Sequence, residues 1–172
     1  MPYSPDDLLS RLDALGFKTT TVEHPPLFTV AQSQDLRGKI EGGHTKNLFL
    51  KDKKDRLWLV VAPEDAEIDM KRLHSRLGSA RLSFGKPELL LETLGVAPGS
   101  VTPFGAINDA EGRVTVVLDA ALMVHELLNF HPLSNEATTT IRRDDLIAFL
   151  KDCGHEPQII AVSGPAADSA EG

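Results

Sequence analysis

The sequence is short of the residues and patterns that several protein classes depend on. Of its 172 residues only one, Cys153, is a cysteine, so neither an internal disulfide nor a cysteine-rich zinc site can hold it together. A chain of this length can bury a core without such staples. No apolar run approaches the roughly 20 residues that cross a bilayer. The opening segment, MPYSPDDLLSRL, lacks the basic start and apolar stretch of a secretory signal. A soluble, cytoplasmic protein without membrane association is therefore the expectation. Net positive charge is also lacking. There are 18 Lys and Arg against 25 Asp and Glu, net −7, which taken as a whole argues against a nucleic-acid partner.

The distribution of that charge is uneven. Between Arg37 and Lys86 there are twelve basic and seven acidic side chains, net +5, which leaves six and eighteen, net −12, for the remainder. A basic middle is what a footprint for a polyanion looks like. Lysines at a hairpin tip, kept for solubility, account for the same count. No helix-turn-helix signal accompanies it, so DNA is not expected.

Turn and period signals divide the chain into short elements. Ser4 can cap a first helix with Pro5 at its first position, Asp6 and Asp7 in its first turn and Leu8, Leu9, Leu12 and Leu15 on one face, before Gly16 stops it. A strand is expected from Phe17 to Glu23, and Thr29 to Gly38 reads as a second short helix. Lys46–Lys51 and Leu57–Ala62 flank KDKKDR as a hairpin. Residues 69–77 read as a helix ended by Gly78, ARLSF as a strand, and Pro87–Leu94 as a helix ended by Gly95. Phe104–Asn108 and Arg113–Asp119 flank DAEG as a second hairpin. ATTTI, Asp144–Asp152 and Gln158–Val162 read as strand, helix and strand. With no internal repeat and no dividing linker, the expectation is one α+β domain over residues 1–162, a curved mixed sheet with hairpins and about five helices, and a flexible tail over 163–172.

Three segments are candidates for chemistry. Gly42-Gly43-His44-Thr45-Lys46-Asn47 places two glycines before a lysine, but Lys46 opens an apolar strand rather than a helix, so it is not a nucleotide-binding P-loop. A loop delivering one cation to an anionic ligand and a plain surface lysine both fit it. The run Gly95 to Gly105 holds three glycines and two prolines in eleven residues. It fits a rigid loop that presents backbone groups to a small polar ligand, or an ordinary connection. The stretch His125 to Asn135 has two histidines and two asparagines without metal-ligand spacing, so a histidine that hydrogen-bonds a ligand is favoured over a metal site. Neither Ser100 nor Cys153 has the surroundings of a nucleophile. No metal or cofactor is expected.

In these segments, together with EHPPLFTV, WLVVAP, VVLDAALM and LNFHPLSNEATTTI, the chain resembles the YbaK-type aminoacyl-tRNA editing proteins, also known as the insertion domain of bacterial prolyl-tRNA synthetases. Within that family it is most similar to the free-standing prolyl-tRNA deacylases of the ProX type. The resemblance runs over nearly the whole chain in several ordered motifs.

The resemblance implies a fold, an activity and a site. The activity is hydrolysis of the ester of mischarged tRNA(Pro), with alanine the expected amino acid, in the service of translation fidelity. The partners are the acceptor end of that tRNA and, as a further expectation, prolyl-tRNA synthetase. Lys46 would grip the terminal adenosine and its phosphate, and Asn47 would position the acceptor end. The backbone of Gly99, Ser100, Val101, Thr102 and Pro103 would hold the aminoacyl group, with Gly99 helping to polarise its carbonyl. His131 would line the aminoacyl pocket, His24 would shape the opposite wall, and Asn135 would contact the substrate. A non-catalytic module that binds tRNA or another anion, and a hydrolase of small free aminoacyl esters, are the rival readings.

Overall fold

The apolar run Leu57–Ala62 is buried on both of its faces, and the rest of the chain is arranged around it. In the computed structural model, which describes residues 2–26 and 40–164, this run is β3 (Leu57–Pro63). The expected helix at Thr29–Gly38 lies outside the described residues, as do residues 165–172. Side chains alternate across a strand. Leu57, Leu59 and Val61 therefore join one apolar cluster, and Trp58 and Val60 another on the opposite face.

Among the described residues eight strands form one mixed sheet. They are β1 (Thr19–Glu23), β2 (Gly43–Asp52), β3, β4 (Leu82–Phe84), β5 (Val114–Asp119), β6 (Leu127–Phe130), β7 (Ala137–Arg142) and β8 (Gln158–Ile160). The order is β1-β7-β6-β2-β3-β5-β8, with β4 paired to β2. The β2–β3 hairpin is antiparallel, with Lys46 opposite Ala62 and Lys51 opposite Leu57. The pairs β2–β6, β3–β5 and β5–β8 are parallel.

Helices α1 (Pro5–Ala14), α3 (Pro87–Leu94) and α4 (Arg143–Asp152) cover the larger cluster. They contribute Leu8 and Leu12, Leu90 and Leu94, and Leu146, Phe149 and Leu150. Phe104 sits among them, edge-on to Phe130 at 5.7 Å and to Phe149 at 5.6 Å. The short helix α2 (Leu73–Leu77) seals the other face with Leu73 and Leu77 against Leu50, Val60 and Val117. α1 carries the capping box its sequence announces, Asp7 N–H to Ser4 Oγ at 3.1 Å and Ser4 N–H to Asp7 Oδ2 at 3.0 Å. Gly78 and Gly95 take the left-handed conformation, φ +71° for both, that ends α2 and α3.

Two expectations need correction. The helix expected over 69–77 is shorter, because Asp69 turns back to accept the Lys71 N–H at 3.1 Å and α2 starts only at Leu73. The second hairpin is absent. Pro103–Asn108 is a 3-10 turn opened by Pro103, with the Thr102 hydroxyl capping the Phe104 N–H at 3.2 Å. Phe104, Gly105 and Ala106 are buried in succession, which no half-exposed strand allows. A Cβ on Gly105 would stand 2.8 Å from Leu94 Cβ, so glycine is what lets this turn lie on α3. DAEG does turn, but it leads into β5, whose neighbours β3 and β8 are both parallel to it.

Asp109 holds that turn together. Its buried carboxylate accepts from Arg113 N–H at 3.0 Å, Val114 N–H at 2.8 Å and His155 Nε2 at 2.9 Å. Burial alone would raise its pKa, but these bonds outweigh that effect and bring it below the usual carboxylate value. A carboxylate depressed in the folded state stabilises fully above its unfolded pKa of about 4 and less as pH falls below that. Urea unfolding of Asp109→Asn should show a loss of about 2 kcal/mol at pH 7 that shrinks toward pH 3. An equal loss at both pH values would contradict this account.

Candidate functional site

The cleft exists because two parallel strands part. β2 and β6 are paired only at Gly43–Leu128 and His44–Asn129. Beyond that point β2 follows β3, while β6 turns away at Phe130. The Thr45 hydroxyl donates to the Asn129 carbonyl at 2.7 Å, tying the two strands just past their last pair. The buried Asn129 amide ties the fork from the other side, donating to the Glu41 and Gly43 carbonyls at 3.0 and 3.2 Å and accepting from Thr140 Oγ1 at 2.5 Å. The opening between the strands is a cleft of about 200 Å³.

The cleft gathers some of the expected residues and leaves others aside. Lys46, Asn47, Gly99, Val101 and His131 line it, from β2, the loop after α3 and the end of β6. Gly99 lies exposed in a 3-10 turn, Pro98–Ser100, over the cleft. Asn135 stands behind it, its amide nitrogen 3.2 Å from where a Gly99 Cβ would be. His24 does not line the cleft but stands behind it, with Nε2 2.8 Å from the Thr138 hydroxyl and its ring 6.3 Å from that of His131. Ser100, Thr102 and Pro103 are buried beneath the loop and do not line the cleft, and Thr102 spends its hydroxyl on the cap described above.

Residues given no individual role from the sequence complete the wall: His44, Thr45, Pro98, Asn129 and Phe130, which lie inside the three candidate segments, and Glu64 and Thr138, which lie outside them. A signal for the threonines was present. Thr138 and Thr140 point to the cleft side and Thr139 to the opposite side, where its hydroxyl meets Thr21 Oγ1 at 2.8 Å. Three threonines in a strand with no apolar alternation mark polar residues on both faces.

The electrostatics assign states to the polar groups. His131 Nδ1 lies 3.0 Å from the Ala137 carbonyl and must donate to it, so in the neutral ring Nε2 is an acceptor. Burial pushes the His131 pKa down; the Ala137 bond works against this and the nearby His24, its ring centroid 6.3 Å away, adds to it. The Lys46 ammonium donates to the Ala66 carbonyl. The Asn47 amide oxygen is buried without a protein hydrogen-bond partner among the described residues, a condition that costs about 1–3 kcal/mol. Among the described residues no three His, Cys, Asp or Glu side chains gather as a metal-ligand set. Followed by NMR, the His131 ring should titrate below the ordinary histidine value of about 6.5, with Nδ1 protonated in its neutral form. An ordinary pKa or the opposite tautomer would show the ring to be held differently.

Known proteins place this geometry in a family. The sequence profile of the aminoacyl-tRNA editing domain matches residues 24–149, which include both arms of the fork. A Bos taurus protein named prolyl-tRNA synthetase associated domain-containing protein 1 is 40% identical over 158 residues, covering 89% of this chain and 92% of its own. The prolyl-tRNA editing protein ProX of Acetoanaerobium sticklandii is 36% identical over 149 residues, covering 86% and 91%. A crystal structure described as a candidate trans-editing enzyme for prolyl tRNA synthetase shares the fold, with a TM-score of 0.69 at 18% identity over 96% of this chain and all of that one. With its cleft at the β2–β6 fork and this match across most of its length, the chain belongs to the aminoacyl-tRNA editing domain family, the hydrolases of aminoacyl-tRNA esters.

Proposed function

We propose that this protein edits mischarged tRNA(Pro) in trans, hydrolysing the ester that joins alanine to the terminal ribose. The observation that carries the reading is the convergence, in one small cleft, of a cation (Lys46), an amide whose oxygen has no partner among the described residues (Asn47), an exposed glycine turn (Gly99) and a histidine held as an acceptor (His131). The names of the ProX and synthetase-associated relatives support proline tRNA as the carrier, and prolyl-tRNA synthetase as a docking partner.

An aminoacyl ester is already activated compared with an amide. Its hydrolysis requires an oriented water and a stabilised oxyanion more than a strong nucleophile. In this reading Lys46 leaves the Ala66 carbonyl for the terminal adenosine and its phosphate. Asn47 accepts from the acceptor end. The Gly99 backbone holds the aminoacyl carbonyl and takes up the charge that develops on its oxygen, with Val101 beside it. His131 Nε2 accepts a proton of the α-amino group or of the attacking water, His24 and Thr138 shape the far wall, and Asn135 holds the Gly99 turn over the substrate. The tRNA's own ribose hydroxyl helps to deprotonate the water.

Selection follows from size. A synthetase site large enough for proline cannot strongly reject alanine, since a missing methylene is worth only about 1–3 kcal/mol. A second cleft cut for a methyl group refuses the prolyl ring on steric grounds.

A panel of Ala-, Cys-, Ser- and Pro-charged tRNA(Pro) tests this. Release of alanine, sparing of proline and a loss of about a hundredfold or more in kcat/KM for Lys46→Ala are expected. Tight binding of Ala-tRNA(Pro) without turnover by the intact protein would instead establish a non-catalytic module. Affinity for the tRNA should also fall steeply as salt rises, because the basic middle displaces counterions from phosphates; salt-independent binding would contradict that contribution.

A further inference from the structure

The loop that holds Lys46 is fixed from a distant part of the chain. Residues 64–68 leave β3 and carry the Ala66 carbonyl that accepts from Lys46 Nζ. Two contacts within the β2–β3 region steady this loop, Glu64 N–H to the His44 carbonyl at 2.8 Å and Ala66 N–H to the Pro63 carbonyl at 3.0 Å. The third comes from nearly a hundred residues away in sequence, where Gly164 N–H donates to the Glu67 carbonyl at 3.0 Å. Gly164 makes that bond from the left-handed region, φ +77°, where other residues are strained.

The segment 161–164 is itself strapped down by two charged side chains. The Arg76 guanidinium of α2 donates to the carbonyls of Ala161 at 2.9 Å, Ser163 at 3.0 Å and Gly164 at 2.8 Å. Asp119, buried at the end of β5, accepts from Val162 N–H at 3.2 Å, Ser163 Oγ at 2.5 Å and Ala121 N–H at 3.2 Å. Val162 is buried in the same apolar cluster that Ile68 of the loop packs against. A planar fork reaching three carbonyls is a task that arginine performs and lysine cannot complete. Ser163 and Gly164, where the tail was expected to begin, are therefore held.

We infer that Arg76 and Asp119 are positioning residues for the editing site: through the 161–164 strap they fix the 64–68 loop, and through the Ala66 carbonyl they set where the Lys46 ammonium waits for substrate. The inference rests on the role proposed above for Lys46, but its structural half stands apart from any substrate. No residue of the 161–164 strap lines the cleft, so its effect reaches the chemistry through the 64–68 loop, which carries the Ala66 carbonyl that receives Lys46 and the Glu64 side chain of the wall.

The test uses the full-length chain and the variants Arg76→Ala, Arg76→Lys and Ser163→Ala, each checked for folding by thermal melting. The readout independent of activity is the rate at which an amine-selective acetylating reagent modifies Lys46, followed by mass spectrometry with the exposed Lys53 and Lys54 as internal references. Freed from a fixed loop, Lys46 should react at least about threefold faster in Arg76→Ala and in Ser163→Ala, with Arg76→Lys between them and the wild type. On whichever aminoacyl-tRNA the wild type hydrolyses, kcat/KM should fall about tenfold in Arg76→Ala and recover in part in Arg76→Lys, the scale expected when a positioned group drifts. A merely structural role would lower the melting temperature and leave Lys46 reactivity unchanged. Wild-type reactivity of Lys46 in folded Ser163→Ala and Arg76→Ala overturns the inference. A wild type that hydrolyses no aminoacyl-tRNA overturns the proposed function instead, and the Lys46 readout still decides the strap.

Discussion

The parting of β2 from β6 after the His44–Asn129 pair is the constraint on which the site depends. Two strands that stop pairing inside a fold leave backbone groups without partners, and these must be satisfied or the strands close again. Here the Thr45 and Asn129 side chains tie the strands at the fork, and Thr140 completes the Asn129 amide. The polar residues at the fork are thus structural first. They hold open a space whose walls β2 supplies on one side and the β6–β7 connection on the other.

The rest of the molecule keeps that fork rigid. β3 is buried on both faces, so the strand against which β2 runs cannot shift without disturbing two apolar clusters at once. On the larger cluster's side, the turn beginning at Pro103 packs on α3 and anchors the Gly99 loop above the cleft. On the other side, α2 and the 161–164 segment hold the loop that receives the Lys46 ammonium. The acidic surface and basic middle fit this division. Lys46 is the one Lys or Arg side chain among the described residues lining the cleft, and the surplus of carboxylates outside residues 37–86 limits nonspecific adhesion to nucleic acid.

Much of this was legible in the sequence where local physics decides. The α1 cap, the glycine stops at Gly78 and Gly95 and the Lys46–Ala62 hairpin follow from residue chemistry within a few positions. What was not legible depends on distant partners. Phe104–Asn108 has the composition of a strand, but the Thr102 cap and Pro103 start it as a 3-10 turn, and burial against Leu94 and Phe149 holds it there. β6 went unrecognised because a four-residue strand, LLNF, has no room to show a period. The cleft-lining residues that the family resemblance led one to expect, Lys46, Asn47, Gly99, Val101 and His131, sit on loops and strand mouths. The ones missed, Thr45, Asn129 and Thr138, act through backbone carbonyls and side chains that only tertiary structure brings near. Asp119 and Arg76 look like ordinary surface charges in sequence, and their convergence on residues 161–164 has no local signature.

The central claim is that the fork between β2 and β6 receives the aminoacylated end of a tRNA. The most direct measurement is an NMR titration of the protein with a non-hydrolysable alanyl-amide analogue of the terminal adenosine. Saturable shifts concentrated at Lys46, Asn47, Gly99 and His131, with His131 Nε2 responding and Nδ1 staying on Ala137, are the result this account predicts. Saturable binding that leaves those four residues unmoved and perturbs another face of the molecule, such as the surface around Tyr3, Arg11 and Cys153, would contradict it.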